Sequence, residues 1–83
     1  MFAFSNPRYK HTRRGVDVEG TITLDGKPVG WFEQRAFCAC LIRFDNSAVR
    51  EAFLVAAGDL APVDYADQLL NEAESRLLAT MNN

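Results

Sequence analysis

Residues 15–24 alternate between apolar and polar or small side chains. A period of two with this composition predicts an antiparallel strand that buries one face. Asp25 and Gly26 then form a dipeptide typical of a tight hairpin turn, so residues 28–34 are predicted to return as the second strand. The apolar positions of the first strand are Val16, Val18, Ile22 and Leu24.

The hairpin also assigns the two aromatic residues of the return strand to faces. A loop of either two or four residues places Trp31 on the same face as Ile22. Adjacent strand residues point in opposite directions, so Phe32 is predicted on the other face. If Phe32 is exposed there, it is a candidate apolar anchor for a partner, because aromatic side chains supply much of the binding energy at protein interfaces.

Residues 36–44 are apolar at almost every position. They are predicted as a third strand that is more covered than the first. The spacing of Phe37, Cys40, Leu41 and Phe44 also fits a helix. Short apolar runs do not distinguish the two structures by period alone, so the helix stays open as an alternative.

Two helices are predicted after the strands. Residues 46–57 are rich in alanine, and Gly58 fits the end of a helix there. Because alternate residues of the same segment are also apolar, a fourth strand remains the alternative. Residues 61–81 form the clearest helix, with Pro62 in the first turn and an apolar stripe along one side. The stripe includes Ala66, Leu69, Leu70, Ala73 and Leu77.

We therefore predict an α+β fold in a single domain, residues 15–83. A three-stranded antiparallel sheet is packed on one face by two C-terminal helices, which buries every apolar stripe. The alternative is a four-stranded meander plus one helix. The predicted strands span about 16–24, 28–34 and 36–44, and the predicted helices span about 46–57 and 61–81.

The charge of the chain is divided unevenly. Residues 1–14 hold four of the nine lysines and arginines and no acid, whereas residues 15–83 hold five against eleven acids, a net charge of −6. The first segment is predicted as a basic, flexible leader and is a candidate nucleic-acid arm. A solvated terminus and pairing with acids of the domain are the other interpretations. The arm comprises Arg8, Tyr9, Lys10, His11, Arg13 and Arg14.

The last predicted helix has an acidic outer face. Four acids share this helix with a single cation, Arg76. One interpretation is an ordinary solvated surface. The other is a row of carboxylates that binds the basic groove of a partner. The acids are Asp64, Asp67, Glu72 and Glu74.

The chain lacks a catalytic or metal-binding pattern. His11 is the only histidine, and together with Cys38 and Cys40 it cannot complete a four-ligand zinc site. No nucleophile elbow or phosphate loop occurs, so we predict no enzyme, metal or cofactor. The two cysteines are interpreted as reduced core thiols. Without a long apolar run or the residue order of a signal peptide, we expect a cytoplasmic protein with no membrane contact.

Three segments together resemble anti-CRISPR proteins, the small inhibitors encoded by phages and mobile elements. They are the hairpin "VEGTITLDGKPVG", the alanine-rich segment at 48–57 and the acidic helix "DYADQLLNEAESRL". The resemblance, which is one of size, charge and layout, implies a non-enzymatic protein that acts in the host cytoplasm. Its partner would be a host nucleic-acid-handling protein or ribonucleoprotein, such as a CRISPR effector complex, whose DNA site it blocks by occlusion or mimicry. The alternative function is a small nucleic-acid-binding module that uses the basic N-terminal segment.

Overall fold

The chain forms a four-stranded antiparallel sheet and two helices, which confirms the predicted α+β class and both helices. The computed structural model describes residues 1–81, so the last two residues of the predicted domain lie outside the described part of the chain. The strands follow one another in the order β1-β2-β3-β4. The elements are β1 (Phe2–Thr12), β2 (Gly15–Leu24), β3 (Lys27–Gln34), β4 (Leu41–Phe44), α1 (Ser47–Ala57) and α2 (Pro62–Met81).

The strand that the three-stranded prediction lacks comes from residues 1–14. Strand β1 pairs with β2 along its length, from Phe2 opposite Leu24 to Thr12 opposite Gly15. Phe2 and Phe4 are both buried, because they contribute to the core between the sheet and the helices. The structure thus places in the sheet a segment that was predicted as a leader outside the domain.

The predicted third strand, residues 36–44, is only partly extended. Strand β4 covers its last four residues, and the preceding residues form a turn in which the Cys38 N–H donates to the Arg35 carbonyl oxygen at 2.9 Å. The turn leaves the Phe37 side chain 96% exposed. Apolar composition alone therefore predicted too long a strand here.

Helix α1 replaces the fourth strand of the alternative prediction. The side-chain oxygen of Asn46 accepts a hydrogen bond from the Val49 N–H at 3.0 Å, which satisfies one of the free donors of the first turn. Gly58 ends the helix with a positive φ of 62° and donates its N–H to the Val55 carbonyl oxygen. The alternative is right about four strands and wrong about a single helix.

A bulge in β3 reverses the predicted faces of Trp31 and Phe32. Leu24 pairs with Lys27 as in a two-residue hairpin. After the next pair, one extra residue in β3 shifts the register, so that Gly30 lies opposite Ile22. One extra residue in a strand sends every following side chain to the opposite face. Phe32 is consequently fully buried, and Trp31 is 40% exposed. The prediction of Phe32 as an exposed anchor is wrong for this reason.

Glycine at two positions makes this arrangement fit. Phe32 lies opposite Gly20, where a Cβ atom would stand 2.7 Å from both the Phe32 ring and the carbonyl oxygen of Ser5. The Phe32 ring stacks on Phe4, with centroids 4.1 Å apart and planes 8° from parallel. A Cβ at Gly30 would collide with the backbone of β4. The ring pair therefore depends on the missing side chain at Gly20, and the pairing of β3 with β4 depends on the one at Gly30.

Both helices pack on the face of the sheet that carries this ring pair. Phe53 of α1 is fully buried and contacts Phe2 edge to face, with ring centroids 5.2 Å apart. The buried side chains of α2 match most of the predicted stripe, except that Leu77 is 36% exposed. The opposite face of the sheet has no helix over it among residues 1–81. The buried residues of α2 are Ala66, Leu69, Leu70 and Ala73.

We expect Leu69→Ala to lower the free energy of unfolding by about 2–4 kcal/mol, because it opens a cavity beneath α2. Leu77→Ala removes the same atoms from a position that solvent already reaches and should cost roughly 1 kcal/mol or less. Urea denaturation of the two variants measures both values. Equal losses would contradict the packing of α2 described above.

Gly20→Ala should destabilise the protein by about 1–3 kcal/mol, since the added methyl group displaces the Phe32 ring or the β1 backbone. Thr21→Ala, at the next position and on the other face, serves as the control and should change stability by roughly 0.5 kcal/mol. Thermal unfolding followed by circular dichroism compares them. A Gly20→Ala variant as stable as the native chain would show that the ring pair does not need this glycine.

Candidate binding surfaces

Three of the four predicted helix acids lie on one shallow surface of α2. Asp64, Asp67 and Glu72 line it, and we call these three residues the acidic surface. Gln68, Asn71, Ser75 and Arg76 also line this surface. Helical spacing of three and four residues accounts for this grouping.

Glu74 does not belong to this group. It lies half-buried on the flank of α2 towards β1, where its charge acts on Tyr9. The pKa of Tyr9 is raised, first by partial burial and second by the negative charge of Glu74. Glu74 thus does not line the acidic surface, although it follows Asp67 by seven residues and lies on the same side of the helix.

The carboxylates of the acidic surface form no ion pair within residues 1–81, although Arg76 lines the same surface. Among residues 1–81, no lysine, arginine or histidine lies within ion-pair distance of Asp64, Asp67 or Glu72. Arg76, the one cation of the helix, instead donates a hydrogen bond to the Phe4 carbonyl oxygen at 3.0 Å. That contact joins α2 to β1.

The two cysteines occupy different environments, and both are free. Cys40 is buried, which agrees with the prediction of a core thiol, whereas Cys38 is exposed in the turn before β4. Burial raises the pKa of Cys40 to about 11, and the charge of Asp67 adds to the effect. Cys40 therefore stays protonated at neutral pH.

This difference predicts selective alkylation. At neutral pH, iodoacetamide should modify Cys38 and leave Cys40 unmodified, because the reactive thiolate of Cys40 forms only as the pH rises towards its raised pKa. Peptide mass spectrometry measures the two sites. Urea-unfolded protein is the control, in which both thiols should react. Equal modification of the folded protein would contradict the burial of Cys40.

The basic residues at the start of the chain surround a concave surface at the β1–β2 end of the sheet. The cavity has a volume of about 660 Å³, and its far wall is the turn between β3 and β4. The Thr12 hydroxyl donates to the Gly15 carbonyl oxygen at 3.0 Å and accepts from the Arg14 N–H at 3.2 Å. These bonds hold the turn that carries two arginines. The cationic lining residues are Arg8, Lys10, Arg13, Arg14 and Arg35.

Each acid of this cavity already has a partner. Asp17 accepts a hydrogen bond from the Ala36 N–H at 2.8 Å. Glu19 pairs with Arg8 at 3.6 Å. Glu33 pairs with Arg35 at 3.1 Å. Within residues 1–81, the cations left without an ion pair at the cavity are Lys10, Arg13 and Arg14, which we call the basic tip.

Strand β1 directs the side chains of the predicted nucleic-acid arm to two faces of the sheet. Tyr9 is in register with the buried Val18, and His11 is in register with Val16. Alternation along β1 separates these two aromatic side chains from Arg8 and Lys10. Tyr9 lines the cavity together with the cations, and it is also close enough to α2 for the charge of Glu74 to raise its pKa.

Two exposed aromatic residues lie outside the predicted sites. Trp31 is on the uncovered face, with the Arg43 guanidinium 5.8 Å from its ring centroid. Phe37 is at the turn beside the basic tip, with a φ of 64°. Gly20 and Gly30 accommodate the bulged register that exposes Trp31, but glycines within strands do not by themselves predict where a bulge lies. For Phe37, the sequence contains no comparable signal.

In the part of the chain that the structure describes, no group of three or more histidine, cysteine or acidic side chains is arranged to hold a metal ion. No described helix is long and apolar enough to cross a membrane. Comparison of the chain with protein-family models, with curated proteins and with solved structures finds no match.

Proposed function

We propose that the chain is a non-enzymatic binding protein whose acidic surface occupies a basic, nucleic-acid-binding groove of a larger partner. The observation that carries the proposal is the set of three carboxylates on one side of α2 that have no ion-pair partner within residues 1–81. Uncompensated charge on a protein surface attracts a groove of opposite charge and accelerates association. By occupying that groove, the protein competes with the partner's nucleic acid.

Charge directs the encounter, and an apolar contact then holds the complex. Phe32 is unavailable for this role because it is fully buried. Leu78 takes its place in the proposal, since its side chain is 60% exposed and follows Asn71 by seven residues. Two helical turns separate these positions, so Leu78 lies on the same side of α2 as the acidic surface.

The resemblance in size and layout to anti-CRISPR proteins selects the first partners to test. It supports a host nucleic-acid-handling complex, with CRISPR effector ribonucleoproteins as the leading class and the host cytoplasm as the place of action. The carboxylates without ion-pair partners support this class because such complexes hold nucleic acid in positively charged channels. No residue role is carried over from that family.

The test is competition between this protein and DNA for purified CRISPR effector complexes. We expect the native chain to bind a susceptible complex and to displace its target DNA. The double variant Asp64→Lys with Glu72→Lys should lose at least about tenfold in binding, since both exposed positions reverse charge within the contact. Electrophoretic mobility shift of labelled target DNA measures the displacement.

Glu51→Lys with Asp59→Lys is the matched control, because it reverses two exposed acids that do not line the acidic surface. This control should inhibit as the native chain does. If the two double variants inhibit equally well, the acidic surface is only solvated. If the native chain displaces DNA from none of the complexes, the proposed partner class is wrong.

A further inference from the structure

The basic tip and its cavity have no role in the proposed function. Lys10, Arg13 and Arg14 surround a concave surface of about 660 Å³, while the acids that line the same cavity are occupied by other partners. A volume of this size is within the range of small-molecule and nucleotide sites. Several unpaired cations around one concavity fit a ligand that carries repeated negative charges.

In the described part of the chain, the Arg13 and Arg14 side chains form no ion pair, while the turn that carries them is held by hydrogen bonds. The Thr12 hydroxyl fixes the turn through its bonds to Gly15 and to the Arg14 backbone. Because the backbone is already ordered, a ligand has to immobilise only the side chains of Arg13 and Arg14 when it binds. Such preorganisation lowers the entropic cost of binding.

Phe37 adds a second, independent observation beside the tip. It is 96% exposed, and it is one of three non-glycine residues with a positive φ among residues 1–81. The other two are Asn6 and Asp25, which tolerate that conformation far better than a bulky aromatic residue does. Strain of this kind persists where the surrounding structure imposes it and concentrates at functional sites.

The surrounding structure of Phe37 is a turn fixed at both ends. Ala36 donates its N–H to Asp17, and the Cys38 N–H donates to the Arg35 carbonyl oxygen at 2.9 Å. A Cβ atom placed on Gly15 would lie 3.8 Å from the Phe37 ring, so the ring stands next to the turn that carries the basic tip. Cations and an exposed aromatic ring thus share one end of the sheet.

We propose that this end of the sheet binds single-stranded nucleic acid, with its phosphates on the basic tip and one base stacked on Phe37. Aromatic stacking combined with backbone cations is the usual chemistry of single-strand binding. A base within a duplex is covered by its neighbours and cannot offer its face to the ring. The site does not involve the acidic surface, so either proposal can fail without the other.

The test is fluorescence anisotropy of the full chain with a labelled oligothymidylate of about ten nucleotides. Three phosphate contacts predict that the logarithm of the affinity falls with the logarithm of salt concentration with a slope of about −2. Arg13→Ala with Arg14→Ala should reduce affinity about tenfold or more at low salt and bring the slope to about −0.7. Lys27→Ala with Arg50→Ala, which removes two exposed cations that do not line the cavity, should retain native affinity and slope.

Phe37 is tested separately from charge. Phe37→Gly should reduce affinity about tenfold without altering the salt slope, whereas Phe37→Tyr retains the ring and should bind as the native chain does. The glycine variant should melt no lower than the native protein, because glycine adopts the positive φ without strain. Reduced binding in a fully folded variant therefore reports the loss of the ring.

Several results would overturn the proposal. One is that the oligonucleotide causes no change in anisotropy at low salt. Another is that the Arg13, Arg14 double variant and the Lys27, Arg50 control lose binding equally. Equal or tighter binding of a duplex of the same length would show that no unpaired base is recognised. If polyglutamate or anionic lipid vesicles bind as tightly as the oligonucleotide, the site only attracts negative charge in general and does not recognise nucleic acid.

Discussion

The stacked pair of Phe4 and Phe32 is the constraint on which the rest of the structure depends. The two rings come from β1 and β3, and they meet over Gly20 of the strand between them, where a side chain would collide with the ring. Burying two phenylalanines contributes about 1.5–3 kcal/mol each, a large share of the stability of so small a protein. The contact requires both β1, which carries Phe4, and the β3 bulge, which directs Phe32 to the same face.

The bulge has consequences at the surface as well as in the core. It turns Phe32 inwards, and the same shift turns Trp31 outwards, where Arg43 of β4 lies near its ring. Helices cover one face of the sheet only, so the other face consists of strand side chains in contact with solvent. The register of β3, and not its composition, thus decides which side chains of this strand lie on the uncovered face.

The distribution of charge follows the topology. The carboxylates of the acidic surface lie on α2, and the basic tip lies at the turn between the first two strands. Asp17, Glu19 and Glu33 are near the tip, but each has a hydrogen-bond or ion-pair partner there. Two surfaces of opposite charge therefore persist on one small domain whose overall charge is −2.

Local sequence determined the helices and the β2–β3 hairpin, because capping residues, periodic apolar stripes and the Asp25-Gly26 turn act within a few residues of one another. It also placed Asp64, Asp67 and Glu72 on one side of α2, since helical spacing is fixed. Tertiary structure decided what depends on distant partners. Residues 2–12 became a strand because Phe2 and Phe4 found a core built from later elements, and the faces of Trp31 and Phe32 were set by one extra residue in β3. A charge-rich segment and a bulge have no local signature strong enough to predict, because their energy comes from contacts that exist only in the folded chain.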